Sequence, residues 1–207
     1  MDSNYLIKFI EELKDIMAKN KDYLIELDSV VGDGDLGLTM SDGFKAAYES
    51  VKESSENDCG KLLYTAGKAM STAVPSTMGT LMASGLMEAG KSLKGKENID
   101  NADIVVLFDS YAKGVQKRGK ANIGEKTFLD GICPAVDSLK DSLNKGLDLI
   151  EMSNLSFDEA KKGFENTTNM VAVHGRAATR GENSRSLKDP GACVAMLIME
   201  AFKNINN

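Results

Sequence analysis

The stretch NYLIKFIEELKDIMAK, residues 4–19, decides the fold class: Tyr5, Leu6, Phe9, Ile10, Leu13, Ile16 and Met17 recur at intervals of three and four and share one helix face. Asp2 or Ser3 is available as its N-cap. The same periodicity returns over 38–54, 58–73, 78–94, 101–117, 127–147, 156–172 and 190–204, between segments rich in glycine, lysine, asparagine or serine. Alternation with a period of two is nearly absent. The one β-like run, Ile104 to Phe108, has surroundings that read better as a buried helix. About eight helices and no sheet make the expected class all-α, in a single domain over residues 1–207.

Proline placement agrees. Asp189-Pro190 reads as an N-cap followed by the first helical position, where a missing N–H costs nothing, and Pro75 marks a loop before a helix. Pro134 falls inside an apolar periodic segment (Phe128, Leu129, Ile132, Val136, Leu139) and is expected to kink it.

Composition narrows the function classes. With 42% hydrophobic and 27% charged residues the chain can bury a core. Its 25 basic residues against 31 acidic ones, net charge -6, argue against nucleic acid or an anionic membrane as partner. Cys59, Cys133 and Cys193 are too few and too far apart for a disulfide framework or a cysteine zinc site, which suits a reducing cytoplasm. No run approaches the roughly 20 apolar residues of a membrane span, and the amphipathic start does not read as a signal peptide. His174 is the single histidine, so any metal must be held by carboxylates.

Four segments interrupt the helical pattern. In Leu27-Asp28-Ser29-Val30-Val31-Gly32-Asp33-Gly34-Asp35-Leu36-Gly37, the glycines allow sharp turns that point Asp33 and Asp35 inward beside Asp28. Carboxylates crowded this way repel one another unless a cation intervenes, and hard oxygen ligands suit Mg²⁺. The competing reading is a solvated Asp-Gly-Asp turn. Gly32, Gly34 and Gly37 also spell the dinucleotide-binding glycine pattern, but no βαβ unit surrounds them. An EF-hand loop fails because Gly37 and Phe44 stand where it needs polar ligands.

The second segment, Thr72 to Thr80, puts Ser76 and Thr77 at a helix start, either as phosphate contacts or as ordinary caps. The third, Gln116 to Thr127, is basic, contains glycine and ends in a candidate cap; it reads either as a phosphate or sugar contact or as a lysine-rich surface connection. The fourth, His174 to Glu182, offers arginines suited to bidentate phosphate contacts; the alternative is a solvated basic loop with His174 a bystander.

Taken in order, the four segments resemble the nucleotide-binding L subunit of dihydroxyacetone kinases, equivalent to the C-terminal domain of the single-chain ATP-dependent enzymes. The family's leading aspartate, Gly-Asp-Gly-Asp-His-Gly and following methionine correspond to Asp28, Gly32 to Asp35, Gly37 and Met40. Its Arg-Gly-Lys, Gly-Asp-Lys-Thr, Leu-Asp and proline correspond to Arg118-Gly119-Lys120, Gly124-Glu125-Lys126-Thr127, Leu129-Asp130 and Pro134. Gly-Arg-Ala, Gly-Glu and Asp-Pro-Gly-Ala recur as Gly175-Arg176-Ala177, Gly181-Glu182 and Asp189 to Ala192. The resemblance spans essentially the whole chain.

That resemblance implies a closed barrel of about eight antiparallel helices holding ADP or ATP at one end through two Mg²⁺ ions. Asp28, Asp33 and Asp35 match the metal ligands; Leu36, Gly37, Leu38, Thr39, Ser76, Thr77, Gly119, Phe128, Arg176, Asp189, Pro190 and Gly191 match nucleotide-contacting positions. The acceptor ketose is held by a separate K subunit, and no catalytic residue beyond the metal and phosphate ligands is expected here. Leu36, Thr39 and Leu187 replace two histidines and an asparagine of the family pattern, and the phosphate loop is shortened to Val74–Thr80. Two alternatives therefore stand beside a kinase subunit. One is a phosphocarrier with permanently bound ADP, recharged by a sugar-phosphotransferase-system protein; the other is a non-catalytic nucleotide-binding paralogue.

Overall fold

Apolar stripes become helices, several of them started by a side-chain cap. In the computed structural model, which describes residues 1–207, these helices are α1 (Ser3–Lys19), α2 (Lys21–Val31), α3 (Leu36–Glu49), α4 (Cys59–Ala73), α5 (Thr77–Ser92), α6 (Asn101–Gly119), α7 (Phe128–Asn144), α8 (Leu149–Asn166) and α9 (Pro190–Asn204). Two 3-10 segments, Thr167–Asn169 and Arg176–Ser184, lie between α8 and α9. There are no strands, only an isolated bridge between Asp2 and Asn98, so the all-α expectation is met. Ile104 to Phe108 lies within α6, as its surroundings indicated.

The chain packs as two units, residues 1–18 with 39–119 and residues 19–38 with 120–207. In the first, the stripe of α1 is buried as expected except for Tyr5, which is only half-buried, and Phe9 meets Phe108 edge to face with centroids 5.9 Å apart. Tyr48 donates a 2.8 Å hydrogen bond to Glu11. Small residues let α4, α5 and α6 approach closely: Gly85 lies under the ring of Tyr111 and Gly114 on the Ser84 carbonyl. Asp58 caps α4 by accepting from Gly60 and Lys61, and a third bond from Gly95 ties in the loop after α5. Asp2, one of the two residues expected to cap α1, accepts from the Tyr5 N–H.

In the second unit α7, α8 and α9 pack against one another and α2 touches α9. Thr127 with Asp130, and Asp148 with Glu151, form capping boxes that start α7 and α8. Asp189 caps α9 with Pro190 in its first turn, as the sequence indicates. The side chains of α9 are mostly buried, among them Val194, Leu197, Met199 and Phe202.

Helix bounds differ from expectation: α3 ends at Glu49 and α7 at Asn144, short of the expected 54 and 147, and two differences are larger. α2 was not foreseen, because it buries only Leu24 and Val31 and so shows too narrow a stripe to stand out from the acidic loop that follows. The helix expected over 156–172 runs instead from Leu149 to Asn166, since the Asp148 box starts it early and Thr167 turns the chain into 3-10 geometry. α7 continues through Pro134. No helix is long and apolar enough to cross a membrane.

Candidate metal and phosphate site

Asp28 lies in the last turn of α2, and Asp33 and Asp35 in the link to α3. Gly34, with φ of 75°, turns this link where a side chain would be strained and would also crowd the Ser29 hydroxyl. One oxygen from each aspartate lies within 4.8 Å of the others, so the three expected ligands do converge. The backbone N–H of Leu36 donates to Asp28 at 3.3 Å, locking that carboxylate to the start of α3. Burial, then the nearby charges of Asp33 and Asp35, raise the Asp28 carboxyl above its usual range against N–H donation from Leu36 and Gly34. The C-terminal end of α2 adds its own partial negative charge, and no basic residue stands in its last turn. An all-oxygen set under this repulsion fits a hard divalent cation such as Mg²⁺.

The nearest visible counter-charge is Arg176, whose guanidinium reaches Asp33 at 2.5 Å. Arg176 opens the 3-10 segment that carries Gly181 in a non-helical conformation. His174 is paired within the fold. Its Nε2 lies 2.6 Å from the Glu125 carboxylate, and the Val173 N–H donates to the Glu125 carbonyl at 3.3 Å. The bond from His174, ahead of those from Asn122, holds the Glu125 carboxyl below the usual glutamate range.

Lys126 is the residue that sequence reasoning passed over. It is 2% exposed, and its Nζ donates to the carbonyls of Met170 at 3.3 Å, Ser184 at 2.5 Å, Arg185 at 3.1 Å and Leu187 at 2.6 Å. Burial, with Arg185 adding, lowers its pKa while Asp189 opposes. Its place in a basic glycine-containing loop looked solvated, and only the motif position marked it.

The remaining expected nucleotide contacts divide between the two units. Leu36, Gly37, Leu38, Phe128, Arg176, Asp189, Pro190 and Gly191 belong to residues 19–38 and 120–207; Thr39, Ser76, Thr77 and Gly119 belong to the other unit. Leu36 and Phe128 have buried side chains, whereas Leu38 is half exposed. Ser76 accepts from the Gly79 N–H, so its ordinary capping role is realised. Gly191 backs onto the main chain of Phe128, bringing the starts of α7 and α9 together.

Burial raises the Asp189 carboxyl to about 7, with Asp130 adding to the shift and the Ala192 N–H and Lys126 opposing it. The folded chain therefore holds this proton to higher pH than the unfolded chain. The associated stability is fully present below the usual value of 3.8 and lost as pH rises through about 7. Asp189→Asn keeps an oxygen for the Ala192 N–H but cannot titrate. Between about pH 4 and about pH 7.5, thermal melts should show the wild type losing a few degrees relative to this variant. Parallel melting curves would refute the assignment.

A family model described as the DAK2 domain matches residues 30–204. The chain is 29% identical over 195 residues to the PEP-dependent dihydroxyacetone kinase, ADP-binding subunit DhaL, of Escherichia coli strain K12, covering 94% of this chain and 93% of the relative. It is 30% identical over 204 residues to the corresponding subunit of the second such kinase of Listeria innocua, covering 98% and 94%. Among solved structures it resembles the native dihydroxyacetone kinase of C. freundii with a TM-score of 0.74 at 21% identity, over 96% of this chain and 34% of that one. The same enzyme in complex with AMP-PNP and Mg²⁺ gives a TM-score of 0.72 at 20% identity. This chain thus shares the fold of about a third of the solved enzyme. Because the match runs from residue 30 to residue 204, most of its length, this chain belongs to the DAK2 domain family.

Proposed function

We propose that residues 1–207 act as one domain, the ADP- or ATP- and Mg²⁺-binding subunit of a dihydroxyacetone kinase or related ketose kinase, passing a phosphoryl group to a substrate held by a separate K-type subunit. The observation that carries this reading is the convergence of Asp28, Asp33 and Asp35 within 4.8 Å, with Arg176 set against Asp33. Three carboxylates and a diphosphate carry more negative charge than one divalent cation offsets, which supports two ions. Bound Mg²⁺ supplies charge neutralisation along the phosphate chain, the main demand of phosphoryl transfer.

The protein's own groups do the positioning. Asp28 is held by Leu36; the first turn of α3, Leu36 to Thr39, directs the positive end of a helix toward the phosphates. Arg176 has five N–H donors, so donors beyond those facing Asp33 serve phosphate oxygens. Phe128 and Asp189 to Gly191 add nucleotide contacts in this reading, and Ser76, Thr77 and Gly119 are proposed as contacts from the family positions they match. Activation of the acceptor hydroxyl falls to the K-type subunit.

A second reading is supported by the relatives this chain resembles. The chain covers nearly all of relatives described as ADP-binding subunits of PEP-dependent kinases. In that case ADP stays bound and a phosphotransferase-system protein recharges it. The replacement of family histidines by Leu36 and Leu187 supports the third reading, a nucleotide-binding paralogue without transfer.

Calorimetric titration with ADP, with and without Mg²⁺, tests what all three share. Binding that requires Mg²⁺ is expected, and equal affinity in a chelator would sink the proposal. Stoichiometric ADP after purification, with phosphate accepted from a phosphohistidine donor, selects the second reading; rapid ADP–ATP exchange selects the first.

A further inference from the structure

We propose that Lys126 is the positioning residue of the arginine loop, its buried ammonium standing in for a bound cation that closes the neck of residues 170–187 and thereby sets Arg176 against Asp33.

The topology of the four bonds is the argument. Met170 lies on the limb entering the loop, while Ser184, Arg185 and Leu187 lie on the limb leaving it. One ammonium therefore joins both limbs, and Arg176 sits between them. Four carbonyl dipoles pointing at one centre make a negative potential of the kind that binds a monovalent cation. An ammonium has three hydrogens for these four oxygens, so they share its donors. Lys126 reaches this point from a backbone with φ of 61°, an unusual conformation for a residue other than glycine.

Besides the ammonium, the Arg185 guanidinium also spans the neck at the surface, donating to the Asn169 carbonyl at 2.7 Å, and few other bonds anchor the loop. Ala172 and Ser184 are buried, and the Ser184 hydroxyl accepts from the Ala172 N–H at 2.9 Å. Glu125 holds Val173 and His174. Residues 175, 176, 179 to 183, 185 and 186 are exposed, and Gly175 and Gly181 have positive φ. Without the ammonium, all four carbonyls at the neck lose its hydrogen bonds, the Ser184 carbonyl keeping only the Leu187 N–H at 3.2 Å, and an open loop of this composition gives Arg176 no defined place.

The test uses the full chain. Lys126→Met keeps most of the apolar stem and removes the charge and donors. Amide exchange over 171–187, read by mass spectrometry, is expected to accelerate at least about tenfold while α7 and α9 keep their protection. Mg·ADP affinity is expected to fall at least about tenfold as Arg176 loses its place. In Lys126→Gly, which suits the positive φ, added ethylammonium should restore slow exchange and most of the affinity, whereas ethanol should not. Should Lys126→Met fail to fold, the ethylammonium dependence of Lys126→Gly decides alone. Wild-type exchange in Lys126→Met, or rescue by ethanol as good as by ethylammonium, overturns the proposal. Only the affinity arm rests on the nucleotide reading. A wild type that ignores Mg·ADP defeats that reading, while exchange and rescue still decide the role of Lys126.

Discussion

Asp33→Ala is expected to weaken Mg·ADP binding by at least about 30-fold, roughly 2 kcal/mol, while leaving the melting temperature of the ligand-free protein nearly unchanged. Two effects oppose each other in the free protein. Removing Asp33 relieves its repulsion of Asp28 and Asp35, which at these separations and near water is worth about 1 kcal/mol per pair before salt screening. It also strands Arg176, but that pair is exposed, with side-chain accessibilities of 68% and 38%, and exposed pairs contribute about 0–1 kcal/mol. These terms are similar in size and opposite in sign.

Ligand binding has no such cancellation. A cation loses one of its protein oxygens, and the phosphate tail then meets two carboxylates that are less well compensated. The thermal shift produced by Mg·ADP should shrink accordingly, because that shift follows the logarithm of ligand concentration over Kd. Titration calorimetry and melting curves on the same preparation check both halves. Retention of wild-type affinity by Asp33→Ala would mean that the aspartates are a solvated turn and no metal centre.

Gly37→Ala should destabilise the protein by about 1–3 kcal/mol and lower its melting temperature by several degrees. The sign is not obvious from propensity alone, because alanine in place of glycine within a helix normally gains about 1 kcal/mol. Here the added methyl would overlap the carbonyl oxygen of Lys21 at the start of α2, and would come within 2.8 Å of the Ile25 Cγ1 atom. A main-chain oxygen held in a helix cannot swing aside as a side-chain terminus can, so the clash outweighs the propensity gain. The strain falls where α2 and α3 meet, across the link that carries Asp33 and Asp35. Mg·ADP affinity is therefore expected to drop together with stability. A variant that melts at or above the wild-type temperature would show that α2 and α3 do not pack this closely.

The Gly37 geometry also refines what the sequence suggested. Its match to a nucleotide-contacting position needs no side chain, and close packing against α2 accounts for the glycine in its own right. Leu36 is similar. Its side chain enters the interior, and its main-chain N–H, bonded to Asp28, is the part that serves the acidic loop.

Legibility differed from element to element for physical reasons. α1 declared itself because its six buried apolar residues make a wide stripe, whereas α2 buries two and hid beside the loop it introduces. Asp189-Pro190 and Thr127 announced helix starts through the chemistry of capping, which needs only neighbours in the chain. The pairing of His174 with Glu125 joins residues 49 apart and left no trace in either segment alone.

What the sequence determined by itself was the helical class and the acidic glycine loop, because periodicity and turn chemistry act over a few residues. What only the tertiary structure decided was which basic group faces which partner. Lys126 and Arg176 look alike in the chain as loop cations, yet one is buried among carbonyls 44 to 61 residues away and the other lies exposed beside an aspartate. Burial, and the convergence of dipoles that makes a buried charge tolerable, exist only once distant segments have been brought together.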